Sequence, residues 1–322
     1  VKTISILIPA YNEETVLNQC YERLINVIKL LPSYIFEILF VNDGSQDSTL
    51  SVIKSLHMED DRVSYVDLSR NFGKEIAMIA GLDYAKGDAV VLMDADLQDP
   101  PELIPKMVKY WQQGYDDVYA KRRSRKGESW LKKFTSAEFY NLLQKTTRIP
   151  IQKDTGDFRL LDRRAVDALR QLRETQRYTK GMFSWIGFNK KEILFDREPR
   201  AAGKSKWHYA NLINLAIEGI TSFTIAPLRI SSIIGSFVSL FAFIYMIIII
   251  VKTLIYGVDV NGYASLMTVI LFLGGIQLLS LGIIGEYLGR IFNETKHRPL
   301  YFVDEYNNKK VKETAQEHEN VH

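Results

Sequence analysis

Two stretches of the chain, Ile230 to Val251 and Gly262 to Gly285, contain no Asp, Glu, Lys or Arg. A helix crosses a bilayer core with about 20 apolar residues, so each stretch is long enough to span, and the pair is expected to form a helical hairpin. The connection from Lys252 to Asn261 is short and almost uncharged, whereas Arg229 precedes the first span and Arg290, Lys296 and Arg298 follow the second. Basic flanks stay on the cytoplasmic side, which puts both ends of the hairpin there. From Ala210 to Phe223, Asn211, Asn214, Glu218 and Thr221 recur at helical spacing while Leu212, Ile213, Leu215, Ile217, Ile220 and Phe223 fill the other face. A helix lying in the membrane interface has this pattern. An amphipathic core helix has it too, and the position just before a span favours the interface. Pro227 and Arg229 mark where the first span begins. The tail after Asp304, with Glu305, Asn307, Asn308, Lys309, Lys310 and Lys312, is polar and expected to be disordered.

The preceding 209 residues have a different character. Short apolar runs near Thr3–Pro9, Phe36–Asn42, Arg62–Leu68, Asp88–Asp94 and Asp117–Lys121 alternate with helical patterns, the rhythm of βαβ units. Ile4, Ile6, Leu7 and Ile8, or Val90, Val91, Leu92 and Met93, leave no polar face, as strands covered on both sides require. The expected fold is therefore α/β, with a Rossmann-like, mostly parallel sheet. From Arg122 to Arg200 the pattern is more mixed, with helices expected around Trp130–Lys145 and Arg163–Arg173 and no strand order assigned. Thr3 to Pro9 reads as a buried strand and lacks the basic flank and cleavage site of a secretory leader, so this domain is expected to stay on the side where it is made. The division is a folded domain over 1–209, a juxtamembrane helix over 210–228, two spans within 229–285 and a cytoplasmic tail over 286–322. A net charge of +3, with the basic residues clustered, is too mild for nucleic acid. The single cysteine, Cys20, excludes an intrachain disulfide, and the five histidines show no zinc-binding spacing.

In open α/β sheets ligands sit beyond the carboxyl ends of the strands, and here those ends are acidic. After the first strand comes Pro9-Ala10-Tyr11-Asn12-Glu13-Glu14, after the second Asn42-Asp43-Gly44-Ser45 to Thr49, and after the fourth Asp94-Ala95-Asp96-Leu97-Gln98-Asp99. None is a GxGxxG or P-loop sequence. Asp94 and Asp96, with Gln98 close by, offer hard oxygen ligands that suit Mg²⁺ or Mn²⁺ and, through the ion, the phosphates of a nucleotide. A turn rich in capping Asp is the competing reading. It takes Asp99, since Asp99-Pro100-Pro101-Glu102 has the form of a helix cap and capping box. Asn12 and Asp47 are read as caps of the following helices, leaving Asp43 as the ligand contact. Arg122, Arg123 and Arg125 after the fifth strand, and Arg200, Lys204 and Lys206 before the interfacial helix, suit an anionic phosphate, with ordinary surface charge as the alternative for any one of them.

Together with Ser69-Arg70-Asn71-Phe72-Gly73-Lys74, Thr155-Gly156-Asp157-Phe158-Arg159, Gly203-Lys204-Ser205-Lys206-Trp207 and Gly285-Glu286-Tyr287-Leu288-Gly289-Arg290, these segments resemble the inverting family 2 glycosyltransferases of GT-A fold. More narrowly, they resemble the polyisoprenyl-phosphate glycosyltransferases, which include bactoprenol glucosyltransferases and dolichol-phosphate mannose synthases. The resemblance implies that Pro9, Tyr11, Glu13, Asp43 and Asp94 bind the nucleotide sugar. Asp94, Asp96 and Gln98 then hold Mg²⁺ or Mn²⁺, and Arg123, Arg125, Arg200, Lys204 and Lys206 take the lipid phosphate. Asp157, Asp96 and Arg122 are the catalytic candidates, Asp157 orienting the acceptor first and serving as general base second. The expected acceptor is undecaprenyl phosphate in the bilayer of the cell membrane. The preferred donor is UDP-glucose, with GDP-mannose and UDP-GlcNAc as alternatives. The resemblance extends to a homo-oligomer, a tetramer. A processive polysaccharide synthase shares the nucleotide motifs, but no QxxRW is present and two spans are too few for a pore; a binding module without turnover is the rival of another class.

Overall fold

Strands that are apolar on both faces are stable only between two layers of helices, and that is how the chain begins. The structure, a computed structural model, describes residues 1–123, 155–175, 177, 179–196, 226–256 and 262–311. β1 (Thr3–Ala10), β2 (Ile35–Asn42), β3 (Val63–Leu68) and β4 (Ala89–Leu92) form a parallel block in the order β4-β1-β2-β3. The helices that alternate with them are α1 (Leu17–Ile28), α2 (Thr49–Glu59) and α3 (Lys74–Tyr84), followed by α4 (Ile104–Gln112). Ile4, Ile6 and Ile8 of β1 face one core with Leu17, Cys20 and Leu24 of α1 and Met107 of α4. Leu7 faces the other core with Leu39, Val41, Ala77 and Ala80. There α3 lies so close to β1 that a Cβ on Gly81 would come within 2.0 Å of Leu7 Cδ1.

Beyond β4 the sheet is mixed. β5 (Asp117–Arg122) does not extend the parallel block, because β6 (Thr155–Asp162) lies between β4 and β5 and runs antiparallel to both. After α5 (Arg163–Gln171) and α6 (Thr179–Trp185), β7 (Lys190–Phe195) closes that edge parallel to β5. The mostly parallel expectation therefore holds for the first four strands, and the sheet of nine strands among the described residues is mixed. Inserting β6 places Asp157 near the end of β4.

α7 (Ala226–Tyr256) and α8 (Tyr263–Glu294) contain the two stretches long and apolar enough to cross a membrane, Ile230–Tyr256 and Thr268–Glu294. α8 outlasts the expected end of the second span at Gly285. It continues through Glu286 and Arg290, an ion pair at 3.0 Å one turn apart, to Glu294. Ser231 Oγ and Ser280 Oγ meet at 2.8 Å between the helices. Ile233, Phe237, Phe241, Leu278 and Leu281 face outward, as lipid contact requires.

The expected disorder after Asp304 is not what the chain does up to Val311. β8 (Val303–Tyr306) pairs antiparallel with the outer edge of β3, and β9 (Lys309–Lys310) pairs with β8. Asn307 and Asn308 turn between them with φ of 46° and 62°, the two positive values of a type I′ hairpin that Asn tolerates. An edge strand offers unpaired amides, and a polar sequence can fill it when backbone pairing supplies the partners. The expected helices at Trp130–Lys145 and Ala210–Phe223, and the tail beyond Val311, lie outside the described residues.

Candidate active site

In the order β4-β1-β2-β3 the chain leaves β1 toward one side of the sheet and returns to β4 on the other, so the crevice between the β1 and β4 ends is a topological switch point. Pro9 is the penultimate residue of β1 there, Tyr11 and Glu13 follow it, and Asp94, Asp96 and Gln98 follow β4. The loops after β1 and β2 are stitched side by side. Asn12 Oδ1 accepts the Gln46 amide at 2.8 Å, the Asn12 amide donates to Ser45 Oγ at 3.0 Å, and the Glu13 amide donates to Thr49 Oγ1 at 2.8 Å. Asn12 is thus no helix cap. It sits at φ 56°, and α1 starts at Leu17 behind Val16, with no side-chain cap. Asp47 does serve the first turn of α2, accepting the Thr49 amide at 3.0 Å.

Asp43, expected to touch the ligand, turns both carboxylate oxygens to the loop after β3, accepting the amides of Phe72 at 2.7 Å and Gly73 at 3.0 Å. Burial pushes its carboxyl pKa up, while those amides and Arg70 pull it back. The two loops approach so closely that a Cβ on Gly44, at φ 63°, would lie 2.5 Å from the Asn71 nitrogen. Asp43 therefore shapes the wall of the crevice through the residues that open α3.

The first residue of α3 is Lys74, and its ammonium lies between two acidic side chains. Nζ is 2.6 Å and 2.8 Å from the two oxygens of Asp94 and 2.8 Å from Asp157 Oδ2. Burial alone would lower the lysine pKa, but the charges and hydrogen bonds of Asp94 and Asp157 outweigh it and hold the group protonated well above its usual range. In the sequence Lys74 stands in a motif without an assigned role; the signal was its position after the third strand, the one strand end among the first four not considered for ligand contact. Glu75 was missed as well. Burial pushes its carboxyl up to about 7, with Asp157 adding to the rise and Thr179 and Arg177 opposing it.

Asp96 Oδ1 accepts the Gln98 amide at 3.1 Å across Leu97, which takes φ 59°. The cap expected at Asp99 is replaced by Pro100 ahead of a 3₁₀ turn, Pro101–Leu103, without a side-chain cap. Glu102 pairs with Arg23 at 2.6 Å instead of closing a capping box. As a test of metal binding, no three His, Cys, Asp or Glu side chains come together among the described residues. However, Asp94 and Asp157 already converge on one cation, and magnesium sites commonly use one or two carboxylates with the remaining positions taken by phosphate and water. Asp94 at the end of β4 and Asp157 on β6 fit that pattern.

Behind Asp157, the fully buried Arg159 pairs with the fully buried Asp117 at 3.0 Å, donates to the Gly156 carbonyl at 3.3 Å and stacks 3.6 Å from the Phe183 ring centroid. Arg122 ends β5 opposite Phe195, and Arg123 beside it is exposed and paired with Asp196 at 3.3 Å. Arg125, Arg200, Lys204 and Lys206 lie outside the described residues.

The family described as glycosyl transferase family 2 matches residues 5–170, just over half of the chain and all of the strand ends that build the crevice. The chain belongs to glycosyltransferase family 2. It is a glycosyltransferase with the GT-A architecture of that family, and residues 226–291 match a second family described as the GtrB C-terminal hairpin. An uncharacterized family relative from Synechocystis sp. is 52% identical over 94% of this chain and 95% of its own length. The Bacillus subtilis glycosyltransferase YkcC is 45% identical over 93% of this chain and 92% of its own. A bactoprenol glucosyl transferase of Shigella phage SfV is 45% identical over 93% of this chain and 97% of its own. Asp94 after β4 and the lysine that opens α3 face the same crevice.

Proposed function

We propose that this glycosyltransferase moves a hexose, with UDP-glucose as the preferred donor, to the phosphate of a polyisoprenyl lipid such as undecaprenyl phosphate at the cytoplasmic face of the cell membrane, with inversion. The observation that carries the reading is the Lys74 ammonium held by Asp94 and Asp157 at the switch point of a chain that also carries a membrane hairpin. The activity for which the phage relative is named supports the lipid acceptor and glucose.

Pro9, Tyr11, Glu13 and the wall shaped by Asp43 receive the nucleoside. Asp94, Asp96 and Gln98 hold Mg²⁺ or Mn²⁺, which when bound supplies positive charge against the donor diphosphate. Lys74 keeps a permanent cation beside the same diphosphate, and Arg122 adds to the neutralisation of charge building on the leaving group, commonly the main source of rate enhancement in such catalysis. The lipid phosphate is already an oxyanion at neutral pH. Asp157 therefore orients the acceptor and its cationic partners, and the phosphate oxygen attacks the anomeric carbon from the side opposite the leaving diphosphate. Arg123, Arg125, Arg200, Lys204 and Lys206 take the lipid head group.

Incubating the purified protein with a panel of nucleotide sugars and undecaprenyl phosphate, with lipid products read by mass, tests donor and acceptor together. EDTA is expected to abolish transfer and Mn²⁺ or Mg²⁺ to restore it. Full turnover in chelator by Asp94→Ala or Asp96→Ala would sink the metal assignment.

A further inference from the structure

The segment that follows the second membrane helix is bonded to the glycosyltransferase domain at successive points. At the end of α8, Glu294 accepts from the Thr175 amide at 3.1 Å and from its hydroxyl at 2.5 Å. Tyr301 then donates to Asp83 Oδ2 at 2.7 Å, near the C-terminal end of α3, where the Tyr84 and Tyr306 rings pack with centroids 4.8 Å apart. β8 continues the sheet beside β3. Its turn is locked onto Tyr65: the Tyr65 amide donates to Asn307 Oδ1 at 2.7 Å, the Asn308 amide donates to the Tyr65 hydroxyl at 2.9 Å, and that hydroxyl donates to Glu305. Lys54 reaches Glu305 at 2.9 Å. Tyr65 is fully buried, so this contact is anchored in the core of the domain and is more than a surface ion pair.

α3 connects this region to the crevice. Asp83 and Tyr84 at one end are gripped by the post-membrane segment, and Lys74 at the other end lies between Asp94 and Asp157. We propose that residues 299–310 are a positioning latch, in which Tyr65, Glu305 and Asn307 fix the height and tilt of the catalytic crevice over the bilayer so that it meets an acceptor phosphate at the membrane surface. The latch touches no substrate. It acts by holding the domain and α3 in one orientation relative to α8, and its importance rests on the lipid acceptor proposed above.

The test compares two acceptors. Tyr65→Phe keeps the buried ring and removes the hydroxyl, and Glu305→Gln keeps the side-chain size and removes the charge. With undecaprenyl phosphate in phosphatidylethanolamine–phosphatidylglycerol vesicles, the double variant is expected to lose about tenfold or more in kcat/KM, the scale on which misplacing reacting groups costs rate. With a short-chain, water-soluble isoprenyl phosphate it is expected to match the unaltered protein, and Glu305→Gln alone is expected to give the same split at smaller amplitude. Equal losses with both acceptors, or no loss with either, overturn the latch. A second readout needs no turnover. Spin labels on the exposed positions Glu22 and Ile291 are expected to give a narrow distance distribution that broadens in the double variant, and an unchanged distribution also overturns it. Failure of the unaltered protein with either acceptor counts against the acceptor assignment alone, and the label distances then decide the latch.

Discussion

Lys74 bridges two carboxylates that would otherwise face each other as like charges. Lys74→Met leaves Asp94 and Asp157 without their shared cation, and kcat/KM is expected to fall by about 10²-fold, the range for losing a principal electrostatic stabiliser; Lys74→Arg is expected to recover part of it. Steady-state kinetics with the donor titrated checks this. Glu75, next along α3, carries a carboxyl pushed from 4.5 up to about 7, mainly by burial. The folded chain therefore holds that proton more tightly than the unfolded one, so the contribution of Glu75 to stability is fully present below about 4.5 and is lost as pH rises through about 7. Glu75→Gln is expected to flatten this decline, measured as the melting temperature across that window in detergent; an unchanged slope would refute the assignment. Asp94 and Asp96 could be picked from the sequence because acidic residues at the end of an apolar strand have few structural uses, and Asp157 only through the resemblance of its Gly-Asp-Phe-Arg context to the family. Lys74 could not, since an isolated lysine at a helix start is ordinary until a fold brings two carboxylates to it.

At the scale of elements, the readable features were those with a strong local period. The five strands of the first 122 residues and the helix beginning at Arg163 were legible from apolar runs and helical spacing, whereas the insertion of β6 between β4 and β5 was not, because strand order depends on contacts distant in sequence. β8 was missed for a related reason: Val303, Asp304, Glu305 and Tyr306 gain their stability from an edge already built. A signal existed in Asn307-Asn308, the residue type favoured at the left-handed positions of a two-residue turn. Asn308→Val is expected to destabilise the hairpin by about 1–2 kcal/mol, the cost of a left-handed residue with a Cβ branch, while Asn308→Gly is tolerated. Limited proteolysis at the β8–β9 turn should separate the two. Gly81→Ala forces a methyl into Leu7 and is expected to lower stability by about 1–3 kcal/mol, as overpacking a filled core does, measurable by thermal unfolding.

For the whole molecule, chain direction and sheet pairing together constrain topology. The domain precedes α7, and β8 beyond α8 joins the same domain, so two crossings return the chain to the side it left. Cysteines introduced at Asp259 and at Lys310 are expected to react with an impermeant maleimide from opposite faces of the membrane, and labelling of both from one face would refute two spans. The native chain provides a quiet background, because Cys20 is buried and its thiol is pushed up to about 12.

The pairing of β8 with β3 also has a consequence for biosynthesis. The ribosome delivers β3 early and β8 only after both membrane helices, so the outer edge of the central sheet stays open for most of synthesis. An open edge is a template for strands of other chains, and domains that emerge first are exposed to such mispairing. Insertion of the hairpin brings the missing strand to its place, which makes closure of the sheet a molecular receipt for correct insertion. A chain cut after Glu294 keeps both apolar helices and every described residue of the crevice, yet is expected to self-associate through β3, visible as a shift to larger species in size-exclusion chromatography.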